Sequence, residues 1–301
     1  MTKLNKLIFP HRRPGATGVA DPDGVSYTEQ SPDDAAQRIA RKNLNAAPAV
    51  LTSQKIILAA DFQPDANPDA QPQRDQVAKH KEIFARIATH HSDADFMFCP
   101  GDLVDRGRPT DAEIAADVNP RYTLKDVWGD FLNLPIPVQN IFVTSGNHDS
   151  DYRSTIDSDK DTLGDFLNVF PRVNYHIILG NCLYVFMGDQ YRNTSGRITD
   201  ETFNWWEKLC LKYSNYNIIV CTHQSLEGTI DADEAGSDDI ITESNRFIDA
   251  MTRADNPVEI DLWISGHHAT FQLTEEDNRF AVAHGGVTFV NCGVHLSLIH
   301  I

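Results

Sequence analysis

The chain has 301 residues, of which 41% are hydrophobic and 9% aromatic, enough for a sizeable core, so the composition excludes a wholly disordered protein. Lysine and arginine number 26 against 43 aspartates and glutamates, and the formal net charge of −17 argues against binding to nucleic acid or anionic lipid. An anionic substrate remains compatible with this charge, because bound metal cations can invert the local field.

The five cysteines include no Cys-x-x-Cys pair and lie mostly in apolar runs, which predicts buried thiols in a reducing compartment. No apolar stretch approaches the roughly 20 residues of a membrane span. The N-terminal letters MTKLNKLIFPHRRPG contain only a short apolar run and do not predict a signal peptide. We therefore expect a soluble, cytoplasmic protein without a membrane partner.

Residues 1–52 differ from the rest of the chain and predict an N-terminal arm or linker. They carry 7 lysines and arginines against 5 acidic residues, and much of the segment is rich in Gly, Pro, Ser and Asp. A short helix is predicted in DAAQRIARKNLNAA, which resembles a segment that recurs in tail-fibre and other virion proteins of bacteriophages. The resemblance implies a virion-attachment arm with phage virion proteins as partners, and the alternative is an ordinary helix that tethers the arm.

From Lys55 onward the chain alternates between short apolar runs, typical of buried strands, and longer helical patterns. Strands are predicted at 56–60, 95–99, 140–144, 175–179, 183–187, 218–222, 261–265, 281–283 and 287–291. Helices are predicted at 76–91, 161–169, 200–213 and 242–253. The alternation predicts an α/β fold.

Five of the apolar runs are followed by a residue of a type that binds metal ions: Asp61, Asp102, Asn147, His223 and His267. Ligands of open α/β sheets bind at the carboxyl ends of strands, where loops carry side chains into a crevice. A single Asp or Asn at such a place could simply cap a helix or shape a turn. Five in succession, each after a predicted strand and four of them beside Gly or Thr, indicate a ligand site.

The motifs around these residues are AADFQ, GDLVDRG, GNHD, THQS and SGHH. In this order they resemble the calcineurin-like metallophosphoesterases over about residues 53 to 295, and GDLVDRG together with GNHD carries most of the signal. The resemblance implies a two-sheet β-sandwich flanked by helices, an α/β/β/α fold. It also implies a phosphoesterase domain over residues 53–301 that follows the arm of residues 1–52.

By the same resemblance, the site would hold one or two divalent ions, for which carboxylate, amide and imidazole ligands favour Mn, Fe or Zn. Asp102 would bridge the two ions, and Asn147, His223 and His267 would complete one intact site. Asp61 would belong to the other site. Two such cations can clamp a phosphate and activate a bridging hydroxide for in-line attack.

Three further residues match catalytic positions of the family. His148 would face the leaving-group oxygen as a general acid or electrostatic stabiliser, and Asp105 would orient that imidazole. Arg106 would contact the phosphoryl oxygens, a task for which its fork of N–H donors is suited. A surface salt bridge is the alternative for Arg106.

Two departures from the family pattern weaken the second metal site. Gln63 stands where the family usually has histidine, although its carbonyl oxygen could bind the ion or hold a water. The final motif, usually Gly-His-x-His, ends here in Ala269. His268, His284 or His295 could substitute, and the alternative for His268 is an ordinary hydrogen-bonded histidine. We therefore expect one tightly and one weakly bound ion.

The sequence thus predicts a metal-dependent hydrolase of phosphate mono- or diesters, including phosphodiesterase activity, with a phosphoester substrate and no nucleic-acid partner. If the arm attaches to a virion, the protein would be virion-associated rather than cytoplasmic, and a host-surface phosphodiester polymer becomes a candidate substrate. The alternative is a non-catalytic virion or carbohydrate-binding protein on a degenerate phosphoesterase fold. A protein phosphatase is a second enzymatic alternative.

The last six residues, LSLIHI, resemble the translation of a common transposon-library sequencing adaptor. This resemblance predicts that they are not native and that the domain is truncated at the C-terminus. The alternative is a genuine β-strand, which the apolar letters allow.

Overall fold

The computed structural model describes residues 54–63, 72–104, 122–150, 163–188, 196–229, 240–268, 272–273, 287–292 and 297–300. The arm of residues 1–52 with its predicted helix, the predicted strand 281–283, and the predicted site residues Asp105 and Arg106 lie outside these described residues.

The described residues form ten strands and five α-helices. The strands are β1 (Lys55–Leu58), β2 (Phe96–Pro100), β3 (Ile141–Thr144), β4 (Tyr175–Leu179), β5 (Cys182–Met187), β6 (Asn217–Thr222), β7 (Leu262–Ser265), β8 (Gln272–Leu273), β9 (Thr288–Asn291) and β10 (Ser297–His300). The helices are α1 (Pro72–His90), α2 (Leu124–Leu132), α3 (Gly164–Val169), α4 (Asp200–Lys212) and α5 (Ser244–Thr252). A short 3₁₀ turn, Val138–Asn140, precedes β3.

The strands form two mixed sheets, as predicted. The first has the order β10-β1-β2-β3, with β1, β2 and β3 parallel and β10 antiparallel to β1. The second has the order β4-β5-β6-β7-β9-β8. Its strands β5, β6, β7 and β9 are parallel, whereas β4 and β8 are antiparallel edge strands.

Alternation of side chains along the strands divides the interior into layers. Ile56 and Leu58 of β1 belong to a cluster with residues of the second sheet, such as Tyr184 and Ile264, and this cluster fills the space between the sheets. Ile57, between them in sequence, belongs instead to the cluster formed with α1, α2 and α3. Each sheet is therefore buried on both faces, which explains why its strands are almost continuously apolar.

Helices α4 and α5 cover the outer face of the second sheet. Helix α4 begins after Thr199, whose hydroxyl accepts a hydrogen bond from the Thr202 N–H at 3.2 Å. Such an N-cap satisfies one of the unpaired donors of the first turn. The helix then buries Trp206 and Leu209 in the cluster that includes Phe247 of α5. The result is the predicted α/β/β/α arrangement.

Helix α2 was not predicted from the sequence, although a capping box marks its start. Thr123 accepts from the Asp126 N–H, and the Asp126 carboxylate accepts from the Thr123 N–H. Nine residues give only one apolar face, formed by Leu124, Val127 and Phe131, which is a short signal for a helix. Residue 140, predicted to begin a strand, instead ends the 3₁₀ turn before β3.

Four residues of the terminal LSLIHI segment form strand β10. Its register pairs Lys55 with His300 and Leu58 with Ser297. The pairing shows that these four residues extend the first sheet beyond β1. Among the described helices, none is long and apolar enough to cross a lipid bilayer.

Candidate metal centre

The candidate site lies at the carboxyl ends of strands from both sheets. Asp102 follows β2, and His223 follows β6 directly. The two sheets meet here, because the His223 imidazole contacts the Pro100 carbonyl oxygen through Nδ1 at 2.7 Å. The Gly266 N–H, after β7, donates to the His223 carbonyl oxygen at 2.8 Å. The ends of separate strands therefore converge on one point.

Four side chains form a compact cluster at this point: Asp61, Asp102, His223 and His267. Each offers one ligand atom, and these atoms all lie within 4.8 Å of one another. The first three are buried, and His267 is half-buried. Asn147 adds a fifth group, with its Oδ1 2.9 Å from Nε2 of His223. The structure thus brings together all five residues that follow the apolar runs.

The chemistry of these atoms fits a cation. When His223 is neutral and donates through Nδ1 to the Pro100 carbonyl, its Nε2 carries a lone pair. That lone pair faces Oδ1 of Asn147 at 2.9 Å, Nδ1 of His267 at 3.1 Å and Oδ1 of Asp102 at 3.3 Å. A convergence of acceptors is stabilised by a positive ion between them, and this mix of ligands suits a transition-metal cation.

Backbone strain is concentrated at the same place. Among the residues that the structure describes, five that are not glycine have positive φ angles, and four of these are at the site. Their φ angles are 56° at Asp61, 25° at Gln63, 53° at Asp102 and 66° at His267. A side chain in this region costs about 1–3 kcal/mol and persists only where the surrounding structure enforces it. Three of the four clustered residues, Asp61, Asp102 and His267, therefore have a left-handed backbone.

Glycines allow the loops to approach each other. A Cβ on Gly146 would lie 2.2 Å from Oδ1 of Asp102, and one on Gly101 would lie 2.5 Å from the Gly146 nitrogen. A Cβ on Gly266 would lie 2.9 Å from Oδ2 of Asp61. A Cβ closer than 3 Å to another heavy atom is not tolerated. Steric contact therefore explains why these three positions are glycine.

Backbone and amide donors fix the two carboxylates. The His148 N–H donates to Oδ1 of Asp102 at 2.8 Å, and the Gln63 side-chain amide donates to Oδ2. Oδ2 of Asp61 accepts the His267 N–H at 2.9 Å. These hydrogen bonds from the protein fix the orientation of each carboxylate.

The pKa shifts show the electrostatic stress of the cluster. Burial raises the pKa of Asp61 to about 7, despite attraction to His223. Burial also acts to raise the pKa of Asp102, but attraction to His223 and a hydrogen bond with it lower the value to about 2. Burial acts to lower the pKa of His223, and the neighbouring Asp102 carboxylate raises it to about 10. The raised pKa values mean that Asp61 and His223 retain protons, which a bound cation can replace.

The other sequence-predicted residues fall into two groups. His148 is half-buried and joins the cluster through its backbone N–H, and Gln63 contacts Asp102 directly. His268 is half-buried, and its N–H donates to the Gly266 carbonyl at 2.8 Å. Four residues lie outside the described residues together with Ala269: Asp105, Arg106, His284 and His295.

The sequence reading missed two buried residues that hold the loops. Asp149, the last residue of GNHD, accepts backbone N–H groups from two separate loops. Its place in the motif was the available signal. Asn291 of β9 donates its amide to Oγ of Ser265 at 3.2 Å and to the Gly266 carbonyl oxygen. Nothing in the sequence around Asn291 marks it, because its contact is made across neighbouring strands.

Two solved structures are similar in part. A purple acid phosphatase from yellow lupin (Lupinus luteus) seeds has 15% identity and a TM-score of 0.43 over 76% of this chain, which spans 40% of the lupin chain. A conserved uncharacterized protein from Streptococcus pneumoniae, described as a predicted phosphoesterase, has 10% identity and a TM-score of 0.32. That match covers 84% of this chain and 85% of the other. Similarities of this size carry no argument about activity.

No protein with curated annotation matches the chain. The family model for calcineurin-like phosphoesterases matches residues 54–271, which include the whole cluster. That match covers more than two thirds of the chain, and the chain belongs to the calcineurin-like phosphoesterase family.

Proposed function

We propose that this protein hydrolyses phosphate monoesters or diesters with one or two divalent metal ions bound at the cluster. The observation that carries the proposal is the convergence of Oδ1 of Asp102, Oδ1 of Asn147 and Nδ1 of His267 on Nε2 of His223. Such a set, buried and held by strained loops, is suited to a cation rather than to a packed core. Membership of the phosphoesterase family supports the reaction class.

The ligand assignment is part of this proposal. Asp102 would hold both ions, and Asn147, His223 and His267 would complete the first site. Asp61 and Gln63 belong to the second. The mutual distances of at most 4.8 Å among the ligand atoms of Asp61, Asp102, His223 and His267 support this assignment. Mn, Fe and Zn are the candidate metals on ligand type.

A bound divalent cation would supply positive charge that stabilises the phosphate oxygens. It would also lower the pKa of a bound water towards neutral pH. The chain's own residues provide the rest. His148, whose backbone is tied to Asp102, presents its imidazole to the leaving-group oxygen. Asp105 orients that imidazole, and Arg106 binds phosphoryl oxygens; both roles rest on the motif GDLVDRG alone.

We expect the two ions to differ in affinity. Gln63 places an amide where the family usually has an imidazole, and this amide donates to Oδ2 of Asp102. An ion at the second site must therefore displace a hydrogen bond as well as lose a nitrogen ligand. Ala269 removes a further histidine of the family pattern. The first site keeps its complete set.

The test is hydrolysis of a chromogenic phosphodiester and a chromogenic monoester by metal-stripped protein titrated with Mn²⁺. Activity should rise with the metal and fall at least about 1,000-fold in Asp102→Asn, because several kcal/mol of charge stabilisation are lost. Asp95→Asn is a matched control, since its carboxylate accepts the Lys55 N–H at 2.8 Å at the opposite end of β2. A folded wild-type protein without activity under any metal would contradict the proposal.

One observation favours a second candidate, a non-catalytic virion or carbohydrate-binding protein. The bond from Gln63 to Asp102 satisfies the proposed bridging carboxylate internally, as a degenerate site would. Metal binding separates the two candidates. A binding protein on an abandoned site should take up no stoichiometric Mn²⁺, whereas the enzyme should bind at least one equivalent.

The proposal for residues 1–52 is an arm that attaches the domain to a phage virion, supported only by the DAAQRIARKNLNAA segment. Removal of the arm should leave hydrolysis unchanged and abolish incorporation into particles. A loss of hydrolysis in the truncated protein would contradict the role of a tether. A host-surface phosphodiester polymer is the substrate to assay first if incorporation is observed.

A further inference from the structure

Asp149 is a buried carboxylate for which the proposed chemistry has no use. It is 1% exposed, and both of its oxygens accept backbone hydrogen bonds. Oδ1 accepts from the N–H groups of Leu103 at 2.9 Å and Val104 at 3.3 Å. Oδ2 accepts from the Gly146 N–H at 2.8 Å. A carboxylate engaged in this way is turned toward the backbone and is not a ligand of the cluster.

The three donors lie on two loops that carry proposed ligands. Leu103 and Val104 come directly after Asp102, and Gly146 comes directly before Asn147. One side chain therefore joins the loop after β2 to the loop after β3. The same two loops pack backbone against backbone, since a Cβ on Gly101 would lie 2.5 Å from the Gly146 nitrogen. Such close packing leaves little room for either loop to move alone.

We propose that Asp149 is a positioning residue that fixes the backbones of Asp102 and Asn147 in their ligand geometry before a metal ion binds. The proposal rests on the proposed function, because it takes these two residues as ligands. Asp102 has a φ angle of 53°, a conformation that a loop abandons unless other bonds hold it. Leu103 and Val104 are the two residues after Asp102. Their N–H groups donate to Asp149, and these hydrogen bonds hold the backbone of Asp102 in this conformation.

A carboxylate is the suitable group for this role, because both of its oxygens can accept hydrogen bonds from N–H groups. In Asp149→Asn, one of the two side-chain atoms becomes an NH₂ donor that faces at least one backbone N–H, so at least one of the three bonds is lost. The volume of the side chain is nearly unchanged, so the variant tests hydrogen bonding rather than packing.

The experiment measures Mn²⁺ affinity by titration calorimetry at mildly alkaline pH, together with apo-protein melting. Loss of a residue that orients ligands typically lowers metal affinity by about 10–100-fold, and we expect a loss in this range for Asp149→Asn. Asp261→Asn is the matched control: its carboxylate accepts the Ile218 N–H at 2.7 Å and joins neighbouring strands at the end opposite the site. It should lower the melting temperature and leave the affinity unchanged.

An affinity of Asp149→Asn within about threefold of the wild type would overturn this inference and leave the proposed function standing. A wild-type protein that binds Mn²⁺ but hydrolyses neither ester would overturn the proposed function and leave this inference standing. A wild-type protein that binds no divalent ion would overturn both.

A second measurement does not require the variant to fold. Hydrogen exchange of the metal-free wild-type protein reports directly on the Leu103, Val104 and Gly146 amides. If Asp149 holds them before metal binds, they exchange far more slowly than amides in an unstructured chain. Exchange at the unstructured rate in the metal-free protein would overturn the inference, because the loops would then be ordered only by the ion.

Discussion

The two sides of the cluster around Asp102 are built differently. On one side, Nδ1 of His223 contacts the Pro100 carbonyl oxygen, Nε2 lies 2.9 Å from Oδ1 of Asn147, and the side chain is 0% exposed. On the other side, Asp61 and Gln63 follow β1 in left-handed backbone conformations, and Gln63 is half-buried. The His223 side chain is fully buried between the two sheets, whereas Gln63 on the second side is half-buried on the loop after β1.

The difference indicates which ligand residues the fold allows to be replaced. A ligand buried between two sheets cannot be replaced without leaving charged partners unsatisfied. A ligand at the end of one loop can be replaced by a residue that makes a different contact, as Gln63 does with Asp102. The departures from the family pattern, Gln63 and Ala269, both belong to the proposed second site. Each prediction below compares the two sides or the loops that join them.

The largest effect is expected from His223→Ala, which leaves the buried Asp102 without its charged partner and removes a proposed ligand. We expect kcat/KM for a chromogenic phosphodiester to fall about 1,000-fold. Asp61→Asn, on the other side, should lower it only about 10–100-fold. His176→Ala, a buried histidine of β4, is the control and should affect stability alone. Equal losses for His223→Ala and Asp61→Asn would contradict the difference between the two sides.

A second prediction concerns the glycine between the loops. In Gly146→Ala the added methyl would lie 2.2 Å from Oδ1 of Asp102, so the carboxylate must move. We expect about a 100-fold loss of kcat/KM, equivalent to about 3 kcal/mol. Gly129→Ala is a matched control, because the added methyl meets nothing within 4 Å inside helix α2 and should stabilise the helix by about 0.5–1 kcal/mol. Full activity of Gly146→Ala would show that the loops adjust freely.

Gln63→His should strengthen the weaker side. It restores an imidazole ligand and removes the amide that donates to Asp102. We expect the affinity for the second Mn²⁺ to rise about 10-fold, read from the stoichiometry and shape of a calorimetric titration. Gln63→Met separates the two causes, since it removes the amide without adding a ligand. If both variants gain equally, the hydrogen bond rather than the missing nitrogen limits the second ion.

The last prediction concerns the pH dependence of stability and of metal affinity. Burial raises the pKa of Asp61 to about 7, so below that pH the folded, metal-free protein binds a proton that the unfolded chain releases. Metal-free stability should therefore fall as pH rises from about 4 to about 7, whereas Mn²⁺ affinity should rise because the ion displaces that proton. The rise can exceed the roughly tenfold per pH unit that one proton allows, because the pKa of His223 is raised to about 10 and its proton must also leave when the ion binds. Affinity independent of pH in this window would exclude a protonated Asp61.

The sequence by itself determined the reaction class to expect and the members of the cluster. The positions of Asp61, Asp102, Asn147, His223 and His267 after apolar runs were sufficient, because ligands of α/β sheets bind at the carboxyl ends of strands. Most strand positions also followed from the apolar runs, since strands buried on both faces are continuously apolar, whereas the two-sheet arrangement followed from the family resemblance. Helix α2 was missed because its nine residues carry too short a period.

Only the tertiary structure decided how these residues meet. The left-handed backbone at Asp102 and His267 is invisible in the sequence, because neither residue is glycine and each angle is enforced by contacts with a distant loop. The role of Asp149 depends on donors from Leu103 and Val104, which lie more than 40 residues away in the chain. Residue type fixes which chemistry a side chain can perform, whereas the packing of loops from separate strands fixes where it performs it.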